Sequence, residues 1–299
     1  MITRVAGFLL AASCLAAGSG RAQQPAPVTQ GGSPVVSPDG RWIVFGSDRD
    51  GQGDLYLIAA DGSGERRLTN SPSREGSPRW SRDGREVFFD AGTRDSVILK
   101  GVDIATGAER TVARLAGFGG SLSPGGQDVV RTVGSFTGGR LVASLLDGTG
   151  QRFLTDTSGA AFNPAWSPDG RQVAYSRLAP DRSISVWVVA ADGSGARPVT
   201  HLAPTEGRAQ VPSWSPDGRR LAVQVGRPGG RAGNAHVAIV DLPTGTLTPL
   251  APHEGAWLDE TPTWFPDGRI AFQSDRTGRM EVWVMNADGT GARQVTGRQ

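Results

Sequence analysis

A four-residue turn of the Ser-Pro-Asp-Gly type recurs six times along this chain, at intervals of 44, 42, 44, 48 and 50 residues. The six turns are Ser37–Gly40, Ser81–Gly84, Ser123–Gly126, Ser167–Gly170, Ser215–Gly218 and Phe265–Gly268. Proline fixes φ at the second position, Asp bonds its own backbone, and Gly supplies the positive φ that ends the turn. A period in the forties predicts a repeat protein with one supersecondary unit per repeat.

Two apolar runs and a second turn complete each repeat. In the last repeat the runs are Ile270–Phe272 and Val282–Met285, the second turn is Asp288–Gly291, and a short segment, Arg293–Thr296, follows it. Short apolar runs bounded by Gly-rich turns are typical of antiparallel strands, and no convincing helical periodicity occurs after the first 20 residues. The sequence therefore predicts an all-β fold, a six-bladed β-propeller of four-stranded antiparallel blades.

A tryptophan directly precedes four of the six turns. These residues are Trp80, Trp166, Trp214 and Trp264. Because they occupy the same place in each repeat, we expect them to pack between blades and not to form an aromatic ligand box. Closure of the ring is open at this point. Residues 27–30 resemble the end of a last strand and could pair beside blade 6, or blades 6 and 1 could close by the packing of their faces alone.

The repeat resembles the TolB-type propeller repeat, a WD-like repeat of bacterial envelope proteins. The last blade carries the likeness best, with Trp-Phe-Pro-Asp-Gly-Arg-Ile-Ala-Phe-Gln-Ser-Asp-Arg over Trp264–Arg276 and Val-Trp-Val-Met-Asn-Ala-Asp-Gly-Thr-Gly-Ala-Arg-Gln-Val-Thr over Val282–Thr296. The resemblance covers residues 27–299 and implies the fold and a protein partner at the envelope. It does not extend to the small α/β domain of TolB itself, and the Gly-x-Ser-x-Gly motif of propeller peptidases is absent from the sequence.

The first 22 residues have the features of a secretory signal peptide. Arg4 precedes the apolar stretch Val5–Ala17, and small residues lead to a predicted cleavage site after Ala22. We therefore expect a mature chain of residues 23–299 that is periplasmic or secreted and has no membrane span. The only cysteine, Cys14, leaves lipid anchoring as the alternative, because Ala11–Cys14 loosely matches a lipoprotein processing site.

The basic isoelectric point does not indicate a nucleic-acid-binding protein. Removing residues 1–22 takes away Arg4 and Arg21 and no acidic residue, which leaves 31 − 2 = 29 basic residues against 29 acidic ones. Arginines are spread over every blade and form no basic stripe of the kind that binds phosphates. We expect no nucleic-acid partner.

The two faces of the predicted disc differ in their loops. The turns within each blade that join strands 1 to 2 and 3 to 4 lie on one face, which we call the short-turn face. The connections between strands 2 and 3 and between successive blades lie on the other, the long-loop face. The extra residues of the longer repeats fall on the long-loop face around blades 4 to 6, in the segments 177–185, 201–211, 226–235 and 252–261. Variable loops on a rigid scaffold are where recognition usually occurs.

The segment 252–261 is the main candidate for a binding surface. Trp257 does not belong to the standard tryptophan place of the repeat, and an exposed tryptophan is a good anchor for a partner or a sugar ring. An apolar and Arg-rich rim would also favour protein binding. The residues predicted to contact a partner are His253, Glu254, Trp257, Asp259, Glu260 and Arg208.

Two other functions stay open beside the protein-binding scaffold. An enzyme acting on glycans or lactones could use the three histidines of the long-loop face, His201, His236 and His253, with nearby acids. A sugar or small-ligand sensor is favoured if Trp257 lines a pocket. The segment Asp48–Asp54 superficially resembles a calcium loop but lacks the closing Glu. We expect no cofactor, no metal and no catalytic residue, and a monomeric protein.

Overall fold

The computed structural model describes residues 32–51, 53–93, 96–135, 137–203, 205–226, 235–250 and 257–297. These ranges contain 24 strands in six four-stranded antiparallel sheets, and no helix. The strands of each sheet follow one another in the chain, so that each sheet is one repeat. The predicted six-bladed β-propeller is confirmed.

Each blade begins at the segment before a Ser-Pro-Asp-Gly turn. Blades 1 and 2 consist of β1 (Gly32–Val36), β2 (Trp42–Ser47), β3 (Asp54–Ala59), β4 (Arg66–Arg67) and β5 (Glu75–Trp80), β6 (Glu86–Thr93), β7 (Ser96–Asp103), β8 (Glu109–Leu115). Blades 3 and 4 consist of β9 (Phe118–Leu122), β10 (Asp128–Val133), β11 (Arg140–Leu145), β12 (Arg152–Phe153) and β13 (Ala160–Trp166), β14 (Gln172–Leu178), β15 (Ile184–Ala190), β16 (Arg197–Pro198). Blades 5 and 6 consist of β17 (Arg208–Trp214), β18 (Arg220–Gly226), β19 (Ala235–Asp241), β20 (Leu247–Pro249) and β21 (Asp259–Trp264), β22 (Ile270–Ser274), β23 (Glu281–Met285), β24 (Arg293–Gln294).

The first strands form the innermost layer of the ring. Each contacts the first strand of the next blade, in the order β1, β5, β9, β13, β17, β21 and back to β1. They therefore line the central channel, and the short fourth strands lie at the outer rim. The apolar core is distributed between the blades, as expected for sheets that each bury both faces against a neighbour.

The Ser-Pro-Asp-Gly turn is stabilised by its own side chains. In blade 1 the hydroxyl of Ser37 donates to Asp39 and accepts the backbone N–H of Trp42 at 2.9 Å, and Asp39 accepts the N–H of Arg41 at 3.0 Å. Burial acts in the opposite direction, but hydrogen bonds from Ser37 and Arg41 lower the pKa of Asp39 to about 2. Gly40 has a φ of 71°, which a side chain would disfavour. The same bonds recur in blades 4 and 5.

The four tryptophans before the turns are packing residues, as the sequence predicts. Each is buried between its own blade and the preceding one, with 7–8% of its surface exposed. Three of them also donate the indole N–H to a backbone carbonyl of the preceding blade. These bonds are Trp80 to Val35 (3.0 Å), Trp214 to Ala165 (2.9 Å) and Trp264 to Ser213 (3.1 Å).

Blades 6 and 1 contact each other through their faces. Phe45 and Tyr56 of blade 1 share an apolar cluster with Phe265 and other residues of blade 6. The N–H of Ser33 donates to the side-chain oxygen of Gln273 at 2.6 Å across the same interface. All four strands of blade 6 come from the C-terminal repeat. Residues 27–30, which one of the two alternatives for ring closure places in a strand beside blade 6, lie outside the described residues.

Every first strand contains a bulge that the sequence did not predict. Four positions before each turn, one residue has a left-handed φ and the pairing register shifts. These residues are Ser33 (51°), Ser77 (51°), Gly119 (58°), Asn163 (51°), Val211 (53°) and Thr261 (48°). All six are at least partly exposed, toward the channel. A signal exists in the sequence, because proline follows this position in five of the six blades.

Candidate binding site at the channel mouth

The candidate residues lie where the first strands of blades 5 and 6 begin, on the long-loop face. Arg208 is the first residue of β17 and Asp259 the first residue of β21, and these two strands are in contact. Trp257 precedes β21 by two residues. His253 and Glu254 lie outside the described residues. The structure therefore brings Arg208 and the segment 257–260 to the same sector of the channel mouth.

Asp259 is buried in an internal ion pair. Only 3% of its surface is exposed, and the Nη2 atom of Arg276 contacts both carboxylate oxygens, at 2.8 and 2.6 Å. The neighbouring backbone is fixed as well, because the N–H of Leu258 donates to Asp275 at 2.7 Å. In this structure Asp259 holds the start of β21 against the second strand of the same blade.

Glu260 is a buried link between blades 5 and 6. One carboxylate oxygen accepts the amide N–H of Gln224 at 2.9 Å, and the other accepts that of Gln273 at 3.0 Å. Burial raises the pKa of Glu260, and these two hydrogen bonds act against the shift. With 6% of its surface exposed, Glu260 positions the inner strand and offers little surface to a partner.

Trp257 lies beside Arg276, an arginine that is itself held by hydrogen bonds. The guanidinium carbon of Arg276 lies 5.8 Å from the ring centre of Trp257, 5.3 Å from that of Phe272 and 4.7 Å from that of Trp283. Such cation–π contacts are worth about 0.5–2 kcal/mol each. The Nε–H of Arg276 also donates to Ser274 at 3.0 Å. Trp257 is half-buried, so part of its surface stays open at the channel mouth.

The stacked arginine is a recurring element of this fold. Arg49 in blade 1 lies 4.4 Å from the ring centre of Tyr56, and Arg177 in blade 4 lies 4.4 Å from that of Trp187. Each arginine follows the second strand or ends it, and each aromatic ring comes from the third strand. Blade 6 adds Trp257 to this arrangement. The ring of Trp283 is only half-buried beneath the arginine.

Arg208 is the most available charged group among the described candidates. It is half-exposed, and the contacts described in the structure give its guanidinium neither a hydrogen bond nor an ion pair. A rim arginine of this kind can pair with a carboxylate of a partner at little desolvation cost to itself.

The groups proposed for metal or acid–base chemistry do not converge in the described residues. His201 is exposed in a loop, and His236 is half-buried within β19. Asp50 and Asp54 of the calcium-like loop contact Tyr56 and Arg67. Within the described ranges no group of three or more His, Cys, Asp or Glu side chains could hold a metal ion.

Over the same described ranges, no helix has the length and hydropathy needed to cross a membrane.

The six sheets, each of four antiparallel strands, define the class of six-bladed β-propellers. A family model described as the TolB beta propeller domain matches residues 129–299, more than half of the chain, and the chain belongs to that family. A curated relative, the protein TolB homolog of Chlorobium luteolum, is 34% identical over 136 residues, which cover 44% of this chain and 30% of the relative. The chain thus matches less than a third of that relative's own length.

Solved structures show the same fold. TolB from Acinetobacter baumannii superposes with a TM-score of 0.67 at 19% identity, over 87% of this chain and 61% of that one. An oligogalacturonate lyase in complex with manganese superposes with a TM-score of 0.59 at 20% identity, over 90% of this chain and 77% of the lyase. At such identities the likeness concerns the fold alone, because one propeller scaffold supports unrelated functions.

Proposed function

We propose that this protein is a non-catalytic, protein-binding propeller of the cell envelope, which contacts its partner at the channel mouth of blades 5 and 6. The observation that carries the proposal is the position of Trp257, which is fixed beside Arg276 and yet half-exposed. Rigid aromatic residues and arginines are the side chains that most often dominate binding energy at protein interfaces. Membership of the TolB propeller family supports the same class of function.

The candidate residues take two different roles in this proposal. Trp257 and Arg208 contact the partner, through an apolar ring and a positive charge that has no ion pair among the described residues. Asp259 and Glu260 act as positioning residues, because their carboxylates are buried and bonded within blades 5 and 6. His253 and Glu254 adjoin Trp257 in the chain and are proposed to extend the contact.

The proposed location rests on the N-terminal segment and on the relatives. Residues 1–22 are proposed to be a signal peptide, with lipid anchoring at Cys14 as the alternative, and residues 23–299 to work as a monomer in the periplasm or outside the cell. The partner is then an envelope or extracellular protein with an apolar side chain for Trp257 and a carboxylate for Arg208.

Site-specific photo-crosslinking tests the proposal. A photoreactive phenylalanine analogue at position 257 should give a discrete crosslinked protein in envelope extract, and Arg208→Ala should weaken that product at least tenfold. The matched control carries the analogue at Phe153, which is 55% exposed and lies on an outer strand. Equal crosslinking from positions 257 and 153, or none from position 257, would refute the proposed surface.

An enzyme acting on glycans or lactones, and a sugar sensor, stay as the alternatives. Both would use the same channel mouth, together with His201, His236 and His253. Incubation of the purified protein with an oligosaccharide and a lactone panel separates them from the scaffold. Turnover that is lost on His253→Ala would favour the enzyme, and saturable sugar binding without turnover would favour the sensor.

A further inference from the structure

Two buried arginines face each other between blades 2 and 3. Arg79 belongs to β5 and Arg131 to β10, and only 6% and 3% of their surfaces are exposed. Arg131 occupies the second-strand place that holds a buried apolar side chain in every other blade. Those residues are Phe45, Phe89, Tyr175, Val223 and Phe272. A charge at this place is therefore a departure of blade 3 from its own repeat.

The two guanidinium groups lie on the same side of strand β9. Arg131 is the direct cross-strand partner of Gly120, and side chains of directly paired residues project to the same face of an antiparallel sheet. A Cβ atom built on Gly120 would lie 3.4 Å from the Cζ atom of Arg79. The guanidinium of Arg79 thus fills the space above Gly120, next to the side chain of Arg131.

Arg79 uses two of its three nitrogen atoms. Nη1 donates to the carbonyl oxygen of Ser77 at 2.8 Å, and Nη2 donates to Asp90 at 2.6 Å. The Nε–H is buried and has no acceptor in the described structure. A buried donor without an acceptor destabilises the folded state, and it does so more strongly when the group is charged.

Arg131 also has one buried N–H group that lacks an acceptor in the described structure. Its Nε donates to the carbonyl oxygen of Ala116 at 2.6 Å, and Nη1 donates to the hydroxyl oxygen of Ser144 at 2.7 Å. The Nη2 group is buried and again has no acceptor among the described residues. Two neighbouring cations therefore each present a buried N–H that none of the described residues accepts.

The charges in this interface do not balance either. Among the described residues, Asp90 is the only carboxylate that pairs with either arginine: one oxygen accepts from Arg79, and the other accepts the N–H of Gly119 at 3.1 Å. Burial lowers the pKa of Arg131, Asp90 raises it and Arg79 lowers it. A guanidinium nevertheless stays protonated in proteins, so one positive charge is left over within the described contacts. A water molecule could accept the free N–H groups but could not neutralise that charge.

We propose that a small inorganic anion of halide size binds between blades 2 and 3, held by the Nε–H of Arg79 and the Nη2–H of Arg131. We infer a single-atom anion because both donors are shielded from solvent, which disfavours a larger and more strongly hydrated anion. The site is separate from the channel mouth of blades 5 and 6 and does not depend on the proposed function.

Halide-dependent stability tests the site in the purified protein. Urea unfolding is compared in sodium bromide and sodium gluconate at one ionic strength, which keeps general screening constant. Bromide should raise the folding equilibrium constant roughly tenfold when its concentration is about ten times its dissociation constant, and the effect should saturate. No halide effect, or one that grows linearly without saturation, would overturn the proposal.

Matched variants connect the effect to the arginines. Arg131→Tyr restores the aromatic residue of the repeat and removes one cation, and its stability should not respond to bromide. Arg85→Ala, at an arginine on the short-turn face with an 83% exposed side chain, should respond as the parent protein does. An equal response in the parent protein and in Arg131→Tyr would contradict the assignment.

Anomalous scattering provides a test that needs no variant. A crystal of the parent protein soaked in bromide should show one anomalous peak within hydrogen-bond distance of both Arg79 Nε and Arg131 Nη2. A peak at neither nitrogen, with ordinary water density between the two guanidiniums, would show that hydration alone satisfies these groups and would refute the site.

Discussion

The interface between blades 1 and 2 and the interface between blades 2 and 3 are built on the same backbone plan with different chemistry. The first is an apolar layer in which Phe89 and Trp80 pack against residues of blade 1 such as Val44 and Leu57. The second places Arg79, Asp90 and Arg131 in the corresponding buried layer, beside a smaller apolar cluster around Phe88. The propeller geometry therefore does not require an apolar layer at every position.

The two interfaces also differ at the short-turn face. A Cβ atom on Gly84 of blade 2 would lie 3.7 Å from the ring of Pro38 in the turn of blade 1. At the next interface the place of Pro38 is taken by Arg82, and a Cβ atom on Gly126 would meet no atom within 4 Å. A cavity of about 480 Å³ opens there, lined by Ser81, Arg82, Asp83, Phe88, Gly125 and Gly126. Blades 2 and 3 thus meet through a more polar and more open contact.

The largest effect on stability is expected when an arginine, as found between blades 2 and 3, is placed in the apolar layer between blades 1 and 2. Phe89→Arg removes a fully buried ring and places a cation among Val44, Leu57 and Trp80. Lys100, whose Nζ atom lies 6.0 Å from the ring centre of Phe89, adds repulsion. We expect a loss of more than about 5 kcal/mol in the free energy of unfolding, measured by urea denaturation.

The control for this exchange is Phe153→Arg, at a site with 55% exposure. That variant loses the contact with Arg140, whose Cζ atom lies 3.7 Å from the ring centre of Phe153, and its free energy of unfolding should fall by no more than about 1 kcal/mol. If Phe89→Arg lowered the free energy of unfolding by less than about 1 kcal/mol, the two interfaces would tolerate a buried charge equally well. The difference between their side chains would then not affect stability.

Neutralising Asp90, the carboxylate of the polar layer, should have the next largest effect on the free energy of unfolding. Asp90→Asn keeps the shape of the side chain but leaves Arg79 and Arg131 without a counter-charge from the protein. Breaking a buried pair by neutralising one partner costs about 3–5 kcal/mol, and we expect a loss of about 3 kcal/mol by urea unfolding. Glu109→Gln, which removes the partially exposed pair with Lys100, is the comparison and should cost at most about 1 kcal/mol. Equal losses in both variants would mean that burial does not set the value of these pairs.

The free energy of unfolding should depend on pH because of a glutamate in the interface between blades 1 and 2. Glu75, at the start of β5, is buried between blades 1 and 2, and the hydroxyl of Thr69 donates to one of its oxygens. The other oxygen is buried without an acceptor or donor in the described structure. Burial raises the pKa of Glu75 to about 7, so the folded protein favours the neutral acid.

The direction of the effect follows from proton linkage. Between the unfolded pKa of 4.5 and the folded value of about 7, the folded state holds more protons than the unfolded state. The free energy of unfolding therefore falls as pH rises through this range, by about 2–3 kcal/mol. Glu75→Gln should flatten this part of the profile, measured by urea unfolding from pH 5 to 8. An unchanged slope in the variant would assign the pH dependence to other groups, among which Glu260 also has a raised pKa.

The fold was predictable because its determinants are local and repeated. The turns carry their own hydrogen bonds, as Ser37 and Asp39 show, and Trp80 and its equivalents occupy one place in four of the six repeats. A period and a turn pattern are therefore enough to predict six four-stranded blades. The long-loop segment 177–185 was predicted too broadly, because strands β14 and β15 reach into it and leave only residues 179–183 between them.

The roles of the site residues were harder to predict, because they depend on side-chain contacts within blade 6 and between blades 5 and 6 that no repeat pattern encodes. Asp259 and Glu260 look like loop acids in the sequence, but Arg276, Gln224 and Gln273 draw them into the structure. A signal was available for the polar interface. When the third repeat is aligned on its Ser-Pro-Gly-Gly turn, Arg131 falls in the place of the buried aromatic residues, inside a run that otherwise reads as apolar.

The smallest effect is expected when the short-turn face of the polar interface is made like the others. Arg82→Pro restores the residue found at this place in the other five turns, and its ring should pack on Gly126 as Pro38 packs on Gly84. Proline also restricts the unfolded chain, so we expect a gain of about 0.5–1 kcal/mol in the free energy of unfolding. The urea midpoint should rise with an unchanged m-value.

The control, Arg82→Ala, removes the charge without adding the ring and should stay within about 0.5 kcal/mol of the parent protein. If Arg82→Pro destabilised the protein instead, the turn of blade 2 would need a backbone that proline cannot adopt. The two interfaces would then differ in the distance between their blades as well as in their side chains. In that case the cavity beside Phe88 would exist because the polar layer of Arg79, Asp90 and Arg131 keeps blades 2 and 3 apart.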